Sequence, residues 1–380
     1  MKKKRMLFLR ATALAALALV LALDALFLFT GARAFSPLEN RNLQQRPALT
    51  LAGVTSGRYE SRFDDYVSDQ FPFRDAWVAL KTAIDRLGGR TESNGVYLSG
   101  DGYLIQDFTM PSEADYRANL DALAGFLQRH GDLKQYVMIA PTAVTVERDR
   151  LPALAPAGDE GGYLDRLARD LSGAPARFID LRAALAGARA QGQVYYRTDH
   201  HWTSDGAHAA YLALSAAAGL SGEAARLERR LLSGDFQGTL SASSGFLPGE
   251  RDALWAYVPP EDEQFVVTYV GENRRSASLF AAAHLDTRDQ YAVFLDGNHP
   301  EIRIETTAAN GRALLVLKDS YANCLIPMLV GDYEKIIVVD PRYFTGRLEV
   351  LMEAEGVNEV LVLYNASTLA GDTALRGDLA

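Results

Sequence analysis

One cysteine, Cys324, serves the whole chain of 380 residues. A lone cysteine excludes an intramolecular disulfide and any cysteine-based metal site. Histidine is also sparse. His130, His208, His284 and His299 lack ligand spacing, and only His200 and His201 are neighbours. Adjacent imidazoles are not expected to turn toward one ion, so Asp199, His200 and His201 are read as something other than a metal site. No cofactor-binding motif is found. Positive charge is in short supply, with 39 basic against 48 acidic side chains. The first 34 residues hold six of the basic and one of the acidic ones, so the body carries 33 and 47, a net charge of −14. An anion-rich body argues against nucleic-acid binding and against tight adhesion to anionic lipid. There is no internal repeat, and no low-complexity tract beyond an alanine-rich N-terminus.

That N-terminus is the one long apolar run. Lys2, Lys3, Lys4, Arg5 and Arg10 precede Ala11 to Thr30, interrupted only by Asp24. About twenty apolar residues span a bilayer core. The basic flank places the N-terminal end in the cytoplasm and the body outside. Ala32-Arg33-Ala34 has the look of a signal-peptidase site, but the run exceeds a usual signal core, which favours an uncleaved single-pass anchor. Either way the body is expected to be extracytoplasmic.

Beyond it the chain alternates helix and strand. Residues 58–88 have helical spacing, broken at Gln70-Phe71-Pro72-Phe73-Arg74. Asn94-Gly95 reads as a hairpin turn. Glu113–His130, Gly162–Leu171, Ser204–Ala218 and Gly346–Ala354 read as helices, with Thr203 as an N-cap. Gln135–Ala140, Ala176–Leu181, Val194–Arg197, Ala313–Leu317, Lys335–Val339 and Glu359–Leu363 read as strands. Continuous apolar strands between helices imply an α/β fold with a parallel sheet covered on both faces. The expected division is an anchor or signal segment at 1–34, a linker and helical region at 35–92, and an α/β domain at 93–368. Residues 231–308 break the rhythm and read as a β-rich insertion, a lid or a substrate wall.

Two motifs carry chemistry: Thr198-Asp199-His200-His201-Trp202 and Lys318-Asp319-Ser320-Tyr321-Ala322-Asn323. A serine hydroxyl is a weak nucleophile until an imidazole takes its proton, and the imidazole needs a carboxylate to fix its tautomer. Asp199 and His201 have an Asp-x-His spacing that lets the carboxylate turn back on a loop. Each motif follows an expected strand, and sites in open parallel sheets form beyond the carboxyl ends of strands. A serine at such a junction is more commonly a helix cap, so the pair matters more than either motif alone. His200 is read as a structural hydrogen-bonding residue and Trp202 as core packing. A helix starting at Tyr321 would offer free N–H groups to an oxyanion. Asn323 and the N–H groups of Ser320 and Tyr321 are the candidate donors.

Thr198–Thr203 (TDHHWT), Lys318–Asn323 (KDSYAN) and Val338–Phe344 (VVDPRYF) together resemble the bacterial DHHW family of exported proteins. These are similar to alginate O-acetyltransferases with an SGNH-hydrolase-like domain. The resemblance runs from about Glu39 to Asn365. It implies an SGNH-like sheet, with Asp199 and His201 as acid and base, Ser320 as nucleophile and Arg342 near the site. It also implies acetyl transfer to a cell-envelope or secreted polysaccharide, with a membrane-bound O-acyltransferase as acetyl donor. The alternatives are an acetyl-esterase using the same residues, and a non-catalytic polysaccharide-binding or assembly protein.

Overall fold

A computed structural model describes residues 2–36, 41–220, 226–246 and 249–379. Met1–Arg90 with Ala242–Gly245 form one compact unit, and Thr91–Ser241 with Phe246–Ala380 the other. In the first unit, helix α1 spans Lys2–Phe29. Its stretch Lys4–Phe29 has a mean hydropathy of 2.4 with none of its apolar window buried, long and apolar enough to cross a membrane. Helices α2 (Arg58–Gln70) and α3 (Arg74–Leu87) flank the expected break, where Phe73 takes a left-handed conformation at φ 57°. Tyr59, Phe63 and Tyr66 line one stripe of α2, with ring centroids 5.8 and 6.0 Å apart in succession. Three- and four-residue spacing brings side chains together in this way.

The second unit opens with three short antiparallel strands, Glu92–Ser93, Val96–Leu98 and Leu104–Gln106. Asn94 (φ 52°) and Gly95 (φ 73°) form the turn between the first two, with the paired positive φ values that Asn-Gly accommodates. Helix α4 (Glu113–Arg129) starts at Ser112, whose side chain accepts from the Asp115 N–H. Such a cap contributes about 1 kcal/mol. Helices α5 (Glu160–Asp170), α6 (Arg182–Arg189), α7 (Ser204–Ala218) and α8 (Leu348–Glu355) follow.

The main sheet has eight strands: β1 (Lys134–Ala140), β2 (Arg177–Phe178), β3 (Phe265–Tyr269), β4 (Arg274–Ser276), β5 (Glu301–Thr306), β6 (Ala313–Lys318), β7 (Lys335–Val339) and β8 (Glu359–Asn365). Their order is β4-β3-β5-β7-β6-β8-β1-β2. Strands β7, β6, β8, β1 and β2 run parallel, while β5, β3 and β4 extend the sheet in antiparallel fashion. Every residue of β6 and β8 is buried, as expected of strands covered on both faces. Each buried Val, Leu or Ile there contributes about 1.5–3 kcal/mol of transfer free energy.

Two expectations are corrected. Val194–Arg197 is not a sheet strand. It folds back on its own loop, with Tyr195 bridged to Trp202 and the Thr203 N–H donated to the Val194 carbonyl. Residues 265–306 do not stand apart as a lid either, because β3, β4 and β5 are integral to the main sheet.

Candidate active site

Strand β6 ends at Lys318, and Asp319 caps a short 3-10 turn over Ser320–Cys324. The Asp319 carboxylate accepts from the Tyr321 N–H (2.9 Å), the Asn365 N–H (2.9 Å) and Asn365 Nδ2 (2.6 Å). Asn365 ends the parallel neighbour β8, so Asp319 ties the serine turn to the adjacent strand end. Burial raises the Asp319 pKa, partly offset by those donors.

The other motif reaches Ser320 from a loop 119 residues earlier. His201 Nε2 lies 2.8 Å from Ser320 Oγ, and His201 Nδ1 lies 2.5 Å from Asp199 Oδ1. The partners assign the tautomer: Nδ1–H donates to the carboxylate and Nε2 accepts from the hydroxyl. Asp199 is 3% exposed and His201 6%. Burial opposes the Asp199 charge, but His200, His201 and the His201 hydrogen bonds outweigh it and hold the carboxyl well below the usual range. The loop is anchored on the serine turn by Trp202, whose Nε1 donates to the Tyr321 carbonyl (3.0 Å), and by the Tyr321 hydroxyl, which donates to the His200 carbonyl.

Three supporting residues were not read from the sequence. Thr239 donates its N–H (2.9 Å) and hydroxyl (3.2 Å) to Asp199 Oδ2. Tyr291 stacks on His201 at 3.8 Å and 14° and donates its hydroxyl to the Ser320 carbonyl (3.2 Å). Buried Asp252 accepts from the Arg197 and Thr198 N–H groups and the Thr198 hydroxyl, holding the start of the loop. None of these residues sits at a spacing that marks it. Gly238 is a partial exception, because a Cβ there would lie 2.2 Å from Asp199 Cβ. Only glycine lets the 238–239 backbone approach the carboxylate so closely.

Two of the candidate oxyanion donors are engaged elsewhere. The Tyr321 N–H is occupied by Asp319. Asn323 turns its amide to the Gly297 carbonyl and Asn298 Oδ1, and its own Oδ1 accepts from Lys318 Nζ. Neither group is directed at Ser320 as a free donor. Arg342 forks onto Asp340 at 2.8 and 2.6 Å, at the end of β7. Lys318 Nζ, fully buried, lies 3.3 Å from the same Asp340 carboxylate. Asp340 thereby links the end of β7 to Lys318 at the end of β6.

His200 bonds Thr239 Oγ1 through Nδ1 (3.2 Å), the structural part expected of it. Burial first, then His201, pushes its pKa down to about 4. The two imidazoles do not diverge as the sequence reading holds. Their centroids are 3.9 Å apart, and Asp199, His200 and His201 offer ligand atoms within 4.8 Å of one another. A cation fits poorly there nonetheless. Both oxygens of Asp199 already accept protein donors, and both nitrogens of His201 are engaged.

Residues 99–295 match the family described as "SGNH hydrolase-like domain, acetyltransferase AlgX". The match includes Asp199 and His201 and ends before Ser320. The chain is 26% identical over 223 residues to the probable alginate O-acetylase AlgJ of Pseudomonas syringae, covering 56% of each. It is 26% identical over 238 residues to the Pseudomonas putida protein of the same description, covering 61% of this chain and 59% of that one. It thus spans less than two thirds of these relatives. Among solved structures, it resembles a DHHW family protein of Eubacterium siraeum (24% identity, TM-score 0.62, 75% of this chain and 95% of that one). It also resembles Bacillus cereus PatB1 with a sulfonyl adduct (21%, 0.62, 73% and 97%). These two likenesses concern the fold. With over half the chain inside the family match, the protein belongs to the SGNH hydrolase-like family of the acetyltransferase AlgX.

Proposed function

We propose that this chain is an extracytoplasmic O-acetyltransferase that modifies hydroxyls of a cell-envelope or secreted polysaccharide through an acetyl-Ser320 intermediate. One observation carries the reading: a continuous relay from Ser320 Oγ through His201 to Asp199, at 2.8 and 2.5 Å. In the first half-reaction Ser320 Oγ attacks the acetyl carbonyl while His201 Nε2 takes its proton. The tetrahedral intermediate collapses, the donor's carbon–oxygen bond breaks, and the leaving oxygen receives the proton from His201. In the second half, His201 takes the proton of an acceptor hydroxyl. That oxygen attacks the acetyl-serine, and Ser320 leaves with the proton. Asp199 stays ionised and steadies the imidazolium in both halves. Among the described residues the Ser320 N–H meets no acceptor, which makes it the first donor for the oxyanion.

The AlgJ relatives described as alginate O-acetylases support a polysaccharide acceptor. The basic-flanked α1 supports a membrane-anchored body outside the cytoplasm. A membrane-bound O-acyltransferase is the proposed acetyl donor. Arg342 is the proposed polar wall of the substrate site, and 231–308 the segment that completes it.

The test is covalent labelling and turnover. A sulfonyl or phosphonyl fluoride should label Ser320 in the wild type and not in Ser320→Ala. A chromogenic acetyl ester should be consumed faster when a polysaccharide acceptor is added, with acetyl appearing on the acceptor. Turnover without acceptor dependence would make the chain an esterase. Equal turnover by folded wild type and Ser320→Ala would leave a polysaccharide-binding protein.

A further inference from the structure

The arginines of the second unit are mostly neutralised locally. A cleft of about 710 Å³ shows this well. Arg150 pairs with Glu147 and Asp101, Arg189 with Glu147 and Asp149, and Arg197 with Glu250. Such a cleft has little positive charge to offer a ligand.

Arg288 is different. Among the described residues it has no carboxylate within salt-bridge distance. Its Nη1 donates to Gln237 Oε1 (2.7 Å), and its Nη2 reaches Ser241 Oγ only at 3.4 Å. Its Nε is buried without a partner. Arg251 donates to the same Gln237 oxygen, so two guanidiniums converge on one neutral amide. Arg251 Nε lies 3.3 Å from Asp235, whose side chain is 79% exposed. Two like charges with one solvated carboxylate leave a net positive site. Burial, then Arg251, lowers the Arg288 pKa, the direction expected of a cation lacking its anion.

The location ties this site to the serine. Gln237 and Ser241 flank Thr239, which holds Asp199. Three residues after Arg288, Tyr291 stacks on His201. Arg288 stands two residues before the 3-10 turn Gln290–Val293 that presents Tyr291 to His201, and its guanidinium bonds the loop that presents Thr239 to Asp199.

We infer that Arg288, with Arg251, is an anion subsite for the acceptor: it binds the carboxylate of a uronic-acid residue next to the hydroxyl that receives the acetyl group. The inference rests on the acetyltransferase reading for the hydroxyl and on the unmatched guanidinium for the carboxylate. A carboxylate matches the planar fork of arginine and supplies the missing counter-charge. The acceptor is therefore an anionic polysaccharide, not a neutral one.

The experiment uses the full chain in detergent, a chromogenic acetyl ester as donor, and two acceptors. One is a de-acetylated alginate oligosaccharide, and the other is the same oligosaccharide with its carboxyls reduced to alcohols. The wild type should show a KM about tenfold lower for the uronate, the size of one charge-assisted hydrogen bond. Arg288→Ala should bring the KM ratio close to one, and Arg288→Lys should fall between. Arg117→Ala, an exposed control, should keep the wild-type ratio. The ratio is internal to each variant, so a general loss of activity cancels. An unchanged ratio in Arg288→Ala, or a wild type that treats both acceptors alike, overturns the inference. If the wild type consumes no ester at all, the acetyltransferase reading fails on its own. Titration calorimetry of Ser320→Ala with the uronate then decides the subsite: binding weakened about tenfold by adding Arg288→Ala supports it, and equal binding overturns it.

Discussion

Replacing Asp199 with asparagine isolates what the carboxylate does. Both oxygens of Asp199 act as acceptors. Oδ1 takes the His201 N–H (3.0 Å) and Nδ1–H (2.5 Å), and Oδ2 takes the Thr239 N–H (2.9 Å) and hydroxyl (3.2 Å). An asparagine has one oxygen and one NH2 for these two places. With the NH2 at the Oδ1 place, two N–H groups face each other at His201, and Nδ1 must become an acceptor. The ring proton then moves to Nε2, where it opposes the Ser320 hydroxyl. With the NH2 at the Oδ2 place, the Thr239 N–H is orphaned in a site where Asp199 is 3% exposed. The second arrangement costs about 1–3 kcal/mol for the unpaired donor. The first costs catalysis. A wrong tautomer in a serine triad lowers kcat by about 10⁴, the handicap known from the serine-protease case. That is about 5.4 kcal/mol at 1.36 kcal/mol per decade. Acetyl-ester turnover should accordingly fall by three to four decades, while chemical denaturation shows a loss of about 1–3 kcal/mol. A folded Asp199→Asn chain that keeps a tenth or more of wild-type turnover would refute the role given to the carboxylate.

Gly238→Ala should act on the same carboxylate from behind. Its Cβ would lie 2.2 Å from Asp199 Cβ, so the loop must move, and turnover should drop at least tenfold with a stability loss of about 1–3 kcal/mol, read by ester assay and thermal melting. Stability should also fall between pH 7 and pH 4 through His200. Its folded pKa, about 4, lies below its unfolded value, so the unfolded chain binds more protons in that window. The bare shift is worth about 3 kcal/mol, but the ring is 34% exposed, and screening reduces this to about 1 kcal/mol. Equal pH slopes for wild type and His200→Gln in denaturant titrations would contradict it. A C-terminal tag should be accessible from outside the cytoplasm, and the chain should stay in the membrane after a high-salt wash, because apolar insertion is not screened. Recovery of a soluble form beginning at Phe35 would show a cleaved signal instead.

The sequence alone determined what depends on local pattern. The bounds of α7 agree at both ends, because Thr203 caps it and Gly219 takes the left-handed conformation that stops it. Strands β6, β7 and β8 were legible as unbroken apolar runs, which only burial on both faces tolerates. The serine and Asp-x-His motifs could be named because chemistry restricts the residue types that perform it. What the tertiary structure decided is long-range. Pairing of β3, β4 and β5 onto β7 depends on edge hydrogen bonds between segments remote in sequence, which periodicity does not encode. The Val194–Arg197 run has the composition of a strand, yet Val194, Tyr195 and Tyr196 pair with residues 201–203 of their own loop, leaving it outside the sheet. Tyr321 and Asn323 were plausible donors by position, but the Asp319 cap and the Lys318–Asn298 cluster had already taken them. Thr239, Tyr291 and Arg288 carry no motif. Their significance comes from proximity to Asp199, His201 and each other's loops, and only the folded chain creates that proximity.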